Sequence, residues 1–186
     1  EKVETIIPLT DRTEGHLLIA TKRGMIKKTP LSEYQNIRKS GKIAINLLDG
    51  DSLISVAVTD GDEDIMIASR QGKCIRFNEK TVRKTGRDSM GVKAMSLDSG
   101  DEMVDMIVLK EGNDILTITE NAYGKRTDPE EYRQQGRNGK GIKAAVLNEK
   151  TGEIVNLKQV NDSDDVMIIA DNGVIIRVPA SSISKV

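Results

Sequence analysis

The sequence is poor in the residues on which most site chemistry depends. Tryptophan is absent, phenylalanine occurs once (Phe77) and tyrosine three times (Tyr34, Tyr123, Tyr132). Proteins that hold single-stranded nucleic acid stack bases on aromatic rings, worth about 1–3 kcal/mol per base. That platform is missing here. Histidine occurs once, at His16, where HLLIA reads as the edge of a strand. A Ser/His/Asp triad or a histidine-based zinc centre would have only this residue to use. The single cysteine, Cys74, excludes an internal disulfide and sits in the alternating stretch GKCIRF as a small core residue. No apolar run reaches the eighteen or so residues of a membrane span. The opening EKVETIIPLT has no signal-peptide h-region. The chain begins without Met and is expected to be a piece of a longer protein.

What is abundant is charge and glycine, and both recur. TKRGMIKK (21–28), SRQGKCIRF (69–77), NAYGKRT (121–127) and ADNGVIIRV (170–178) each follow an apolar run, with Gly24, Gly72, Gly124 and Gly173 spaced by 48, 52 and 49. A second landmark, G-x-x-A-x-x-L, recurs as GKIAINL, GVKAMSL and GIKAAVL from Gly41, Gly91 and Gly141. Turn signals DGDS, SGDE and KTGE follow, then the runs LISVAV, MVDMIV and IVNLKQV. Each repeat of about fifty residues therefore carries four short β segments, the first two joined at a glycine that supplies positive φ. Four strands per repeat is the pattern of a propeller blade, which stacks on its neighbours to bury a core. The fold class is all-β and propeller-like. One repeat domain is expected over residues 1–186, with units 1–50, 51–100, 101–151 and an incomplete 152–186. The whole is either part of a larger disc or an open arc.

The formal net charge of −1 hides an alternation. Residues 22–42 hold seven basic and one acidic side chains, 43–69 six acidic and no basic ones, and 70–93 eight basic and two acidic ones. Residues 94–121 hold one basic and seven acidic side chains, and 122–143 six basic and three acidic ones. Stacked in register, the basic segments are expected to form one stripe, with the acidic turns gathered elsewhere. A curved basic stripe without aromatics favours duplex DNA held by its phosphates rather than read by its bases. The candidate ligands are Arg23, Lys27, Lys28, Arg38, Lys39, Lys42, Lys73, Arg76, Arg83, Lys84, Arg87, Lys93, Lys125, Arg126, Arg133, Arg137, Lys140 and Lys143. A protein-interaction propeller using its acidic turns is the competing reading.

Three strings, TPLSEY…KSGKIAINLLDGDSLISV, GKCIRFNEKTVR…GVKAMSL and NAYGKRTDPEEY…KGIKAAV, resemble the C-terminal domain of bacterial DNA gyrase A, and the likeness runs along essentially the whole chain. Its counterpart in topoisomerase IV is the close relative. The resemblance implies a β-pinwheel, a propeller-like disc whose neighbouring blades exchange strands, which wraps duplex DNA on its perimeter and supports negative supercoiling. It implies as partners the gyrase A core and gyrase B, in a bacterial cytoplasmic, nucleoid-associated enzyme. It places ATP, Mg2+ and the catalytic tyrosine outside this chain, with no cofactor in the domain itself. The family's gyrase box, Gln-Arg-Arg-Gly-Gly-Lys/Arg-Gly, is matched at Gln135, Arg137, Gly139, Lys140 and Gly141, and departed from at Gly136 and Asn138. This reads as a degenerate box on a later blade, the true box being expected ahead of residue 1.

Other chemistry finds little support. Around Gly139-Lys140 the P-loop pattern fails at Gln134 and Gly141, and no helix follows. DGDED (60–64) and NDSDD (161–165) lack the terminal Glu of an EF-hand and read as solvated turns. At least two of the tyrosines are expected to anchor loops onto the blades.

Overall fold

The computed structural model describes residues 3, 5–8, 14–37 and 39–186. Among these, the chain is built from short strands and single 3-10 turns, with no α-helix. The strands are β1 (His16–Thr21), β2 (Met25–Pro30), β3 (Leu53–Thr59), β4 (Asp64–Ser69), β5 (Lys73–Asn78), β6 (Val92–Lys93) and β7 (Met103–Val108). They continue as β8 (Asp114–Thr119), β9 (Gly124–Thr127), β10 (Ile142–Lys143), β11 (Ile154–Val160), β12 (Asp165–Ile169) and β13 (Ile175–Pro179). A 3-10 turn follows each hairpin, at Leu31–Tyr34, Glu79–Thr81, Pro129–Glu131 and Ala180–Ser182. Two of these start on a side-chain cap: Asn78 Oδ1 accepts from Lys80 N at 2.9 Å, and Asp128 Oδ1 from Glu130 N at 3.0 Å.

Four antiparallel sheets result, ordered β3-β1-β2-β6, β7-β4-β5-β10, β11-β8-β9 and β12-β13. The chain order and the sheet order disagree in one informative way. β6 follows β5 in sequence but pairs with β2, in the register Met25↔Lys93 and Ile26↔Val92. β10 likewise pairs with β5, as Cys74↔Ile142 and Lys73↔Lys143. The G-x-x-A strand of one repeat thus completes the sheet of the repeat before it, the strand exchange expected of a pinwheel. The matching stretch of the first repeat, 41–48, joins no sheet of the described residues, and Ile43 there is 61% exposed.

Exchange is possible because Gly91 and Gly141 lack a side chain. Both have left-handed φ, +84° and +73°. A Cβ on Gly91 would overlap the Ile26 carbonyl oxygen and come to 2.9 Å of Lys27 Cβ. On Gly141 it would overlap the Cys74 carbonyl oxygen and come to 2.8 Å of Met95 Cε. Only glycine admits both the backbone conformation and the approach.

The hairpin glycines need one correction. Gly24, Gly72 and Gly173 take positive φ and close the turn onto Thr21, Ser69 and Ala170. In the third repeat Ala122 does so, at φ 60° with its N–H 2.9 Å from Thr119 O. Gly124 lies two residues on, opens β9 and has no left-handed φ. Matching glycine to glycine in NAYGKRT slips that repeat by two residues.

The core lies between sheets. Ile65 and Ile67 of β4 join Leu18, Ile26, Ile75, Phe77 and Met95 on one side. Met66 and Ala68, alternating with them, join Cys74, Ile115, Tyr132 and Leu157 on the other. The middle sheets are buried on both faces, so their strands read as continuous apolar runs rather than alternations. In the last sheet Met167, Ile169 and Ile175 are 60% exposed or more.

Candidate nucleic-acid interface

The eighteen cations proposed from sequence fall into distinct environments. Lys27, Lys28 and Arg126 are buried and Arg76 half-buried. Lys28, Arg76 and Arg126 occupy the same place in their hairpins, opposite Leu18, Met66 and Leu116. Each reaches into the 3-10 turn region of the following repeat. Lys28 Nζ donates to Glu79 O at 2.7 Å, Arg76 Nη1 to Pro129 O at 2.8 Å, and Arg126 Nε to Ile183 O at 3.0 Å. Carboxylates complete the latches: Lys28 with Glu79 at 3.5 Å, Arg76 with Asp64 and Glu130 at 3.0 Å, and Arg126 with Asp162 at 2.5 Å. Lys27 donates from Nζ to Ala44 O at 2.6 Å and to Arg87 O, and burial pushes its ammonium below the ordinary lysine pKa. These four side chains join repeats. As phosphate ligands they are a correction to the sequence reading, because their donors are spent inside.

The first of these joints holds a buried acid that composition did not reveal. Glu79 is fully buried and accepts from Thr59 Oγ1 at 2.9 Å, Gly61 N at 3.0 Å and Glu63 N at 3.1 Å. Burial pushes its pKa up, but the donors from Glu63 and Thr59, with Lys28, outweigh it and hold the carboxyl below its ordinary value. His16, 8% exposed, sits beside it, with a buried Nδ1 that finds no partner.

A second group is neutralised by acidic turns. Asp98 pairs with Lys73 and lies 3.6 Å from Lys140. Glu102 binds Lys22 at 2.7 Å and Arg70 at 3.3 Å, and Arg70 also meets Glu120 and Glu153. Arg23 is tied to its turn by a hydrogen bond and not an ion pair, donating to the main-chain carbonyl of Asp49 at 2.6 Å. The acidic turns therefore fold back onto the hairpin tips instead of gathering away from them, a second correction. The carboxylates of 60–64 are likewise engaged: Asp62 with Lys80 at 2.6 Å, and Asp64 with Arg76 at 3.0 Å.

The third group faces solvent. Arg83, Lys84, Lys93, Arg133 and Lys143 are exposed and make no ion pair with another described residue. They recur: Arg83 and Arg133 directly follow the residues that end their 3-10 turns, and Lys93 and Lys143 close the exchanged strands β6 and β10. Lys39 and Lys42 are exposed in the first repeat, with Lys42 on Gln35 O at 2.7 Å, and Lys125 is half-buried. Arg38 lies outside the described residues.

The box-like loop is a joint. Gln135 N donates to Arg76 O at 2.8 Å, and Gly139 O accepts from Ser96 N at 2.9 Å. Arg137 donates to Thr81 O at 3.3 Å and to Lys93 O. Arg87 does the same in the second repeat, to Ile43 O at 2.9 Å. Of the box residues, Lys140 alone presents an exposed cation. Two tyrosines anchor loops as expected: Tyr132 is 4% exposed, and the Tyr34 hydroxyl donates to Ala44 O at 3.2 Å. Tyr123 is exposed, with Lys150 Nζ 5.6 Å from its ring centre.

A family model described as the DNA gyrase C-terminal domain, beta-propeller, matches residues 15–60, 63–110, 113–161 and 164–186. The chain belongs to this family. It is 60% identical over 185 residues to the DNA gyrase A protein of Halalkalibacterium halodurans and 41% identical over 187 residues to that of Escherichia coli. These matches take in 99% and 100% of this chain but only 22% and 21% of those proteins, so the chain spans about a fifth of their length. Among solved structures, the C-terminal domain of DNA topoisomerase IV superposes with a TM-score of 0.87 at 26% identity, over 93% of this chain and 55% of that one. The DNA gyrase A C-terminal domain superposes at 0.84 with 28% identity, over 94% and 58%. The gyrase-family domain is thus an all-β propeller whose described basic residues divide into joints between repeats, hairpin tips met by acidic turns, and an exposed rim.

Proposed function

We propose that this domain binds duplex DNA through its phosphates along the rim formed by the 3-10 loops and exchanged strands, bends it, and takes no part in bond cleavage. The observation that carries the reading is the recurrence of exposed cations at equivalent places on successive repeats, Arg83 with Arg133 and Lys93 with Lys143, with no ion pair among the described residues. Lys84, Lys39, Lys42 and Lys140 extend the same surface, and Arg38 is assigned to it from sequence. The scarcity of aromatics fits backbone contact better than base stacking. The names of the relatives, which mark them as DNA gyrase A proteins, support a place in a type IIA topoisomerase, where wrapping by this domain would favour negative supercoiling. In that setting gyrase B, the gyrase A core, ATP and Mg2+ act outside this chain, in a bacterial cytoplasm. No helix of the described residues is long and apolar enough to cross a membrane.

The test is duplex affinity against salt, read by fluorescence anisotropy. The five exposed cations with no ion pair among the described residues predict a log–log slope at least as steep as roughly −4.5, at about −0.9 per phosphate neutralised, with little sequence preference. Charge reversal at Arg83 and Lys84 lowers affinity equally for all sequences, whereas reversal at Asp62, exposed in the 60–64 turn, does not lower it. Absence of measurable duplex binding at low salt overturns the proposal and leaves the protein-interaction reading.

A further inference from the structure

Arg87 and Arg137 look from sequence like two more phosphate ligands, yet both spend their guanidinium on protein carbonyls. The acceptors are the same residue of the repeat. Ile43 and Lys93 each stand third in G-x-x-A, and each gives its carbonyl to the arginine of the following repeat. Neighbouring bonds turn the contact into a clamp. Asn138 N donates to Ala94 O at 2.8 Å, Ser96 N to Gly139 O at 2.9 Å, and Ser96 Oγ to Asn138 O at 3.0 Å. One repeat earlier, Asn46 N donates to Ser89 O at 3.2 Å and Asn46 Nδ2 to Asp88 O at 2.6 Å.

The clamped segment carries a rim cation. Lys93 lies on β6, which is paired to β2 on one side and held by Arg137 and its loop on the other. The loop that holds it brings Arg133 and Lys143 in the same stretch of chain, with Lys140 between them beside Asp98. The step from the free cation of one repeat to those of the next is therefore set by this contact. We infer that Arg87 and Arg137 are positioning residues: they fix the spacing and angle between rim cations of successive repeats, and so control how sharply a bound duplex is bent rather than how many phosphates are neutralised. The inference rests on the DNA reading above. It follows from the stiffness of duplex DNA, which must be bent to touch cations on several repeats and springs away from a rim that yields. A guanidinium suits the role because its planar fork reaches two carbonyls at once, Thr81 and Lys93, where an ammonium on a flexible stem does not hold that geometry.

The experiment uses this chain, an unbendable duplex of about one helical turn and a duplex of about 40 base pairs labelled at both ends for energy transfer. Arg137→Lys keeps the charge and loses the fork; Arg137→Gln loses both. With the inference right, Arg137→Lys binds the short duplex within twofold of the parent and with the same salt slope, while end-to-end energy transfer in the long duplex falls. Arg137→Gln behaves likewise, and its backbone amides at 94–96 exchange faster with solvent. Lys143→Gln gives the opposite pattern, a slope shallower by about 0.9. The inference is overturned if Arg137→Lys bends the long duplex as the parent does while Arg137→Gln loses about one phosphate of salt slope. If the parent chain binds neither duplex, the DNA reading itself falls and this inference with it, a result distinct from the last.

Discussion

Placing a methyl group on Gly141 tests whether strand exchange holds the repeats together. In Gly141→Ala the new Cβ overlaps the Cys74 carbonyl oxygen and lies 3.0 Å from its carbon, so backbone and not a flexible side-chain tip must yield. Left-handed φ costs an L-residue about 1–2 kcal/mol. Lifting β10 from β5 also forfeits the ladder at Ile142↔Cys74 and Lys143↔Lys73 and the bond from Ala144 N to Gly72 O. Two or three such bonds at about 0.5–1.5 kcal/mol each bring the loss to roughly 2–6 kcal/mol. Gly41→Ala is the matched control. Its φ is +77°, yet nothing lies within 4 Å of the new Cβ, so only the conformational cost applies. Urea unfolding followed by circular dichroism separates the two: Gly141→Ala shifts the midpoint down by about 1–2 M and Gly41→Ala by about 0.5 M. Equal shifts would refute the claim that close backbone approach, rather than φ alone, demands glycine at the exchanged strand.

Three further outcomes are expected. Arg126→Ala removes a buried guanidinium bonded to Ile183 O, Asp114 and Asp162 and lowers stability by about 3 kcal/mol, whereas Arg133→Ala on the rim stays within about 0.5 kcal/mol; urea midpoints measure both. Burial, with Lys84 and Lys28 nearby, holds the His16 imidazole below its ordinary pKa against the opposing pull of Glu79. The unfolded chain then takes up a proton first as pH falls below about 6.5. Stability is full above that pH and declines as the pH drops toward the folded value. His16→Gln should flatten the melting temperature between pH 7 and 5.5, and an unchanged decline would refute this. The Cys74 thiol, pushed up to about 12 by burial, resists iodoacetamide at pH 8 until the chain unfolds, so rapid labelling of the native protein would contradict its place in the core.

The repeat, the hairpins and the core cysteine were legible because each depends on local pattern, but the eighteen cations of the expected stripe carried no sign of which ones face solvent. The latches were not. Charge counting along the chain gives the sign of a segment but not the direction of a side chain. In strands buried on both faces, period-two alternation does not separate inside from outside. The acceptors for Lys28, Arg76 and Arg126 come from the next repeat, around fifty residues on. One signal was available: a cation recurring at a fixed place in successive hairpins, as Lys28 in MIKKTP, Arg76 in KCIRFN and Arg126 in YGKRTD, marks a shared buried role more than a stripe. The folding back of 98–102 onto the hairpin tips likewise depends on a turn geometry that alternation of sign does not encode. Ala122 shows the limit of motif matching, since a nearby glycine drew the alignment away from the residue that makes the turn.

The exchanged strands also set an order of events for a chain emerging from the ribosome. The hairpin begun at His16 has one edge open until Lys93 has been made, and the hairpin begun at Asp64 waits for Lys143. Each of these two sheets is thus completed by chain synthesised after the following hairpin. Stopping translation between those points leaves the newest sheet with a bare edge, so folding proceeds one repeat behind synthesis and the nascent chain carries a single adhesive edge that moves along with it.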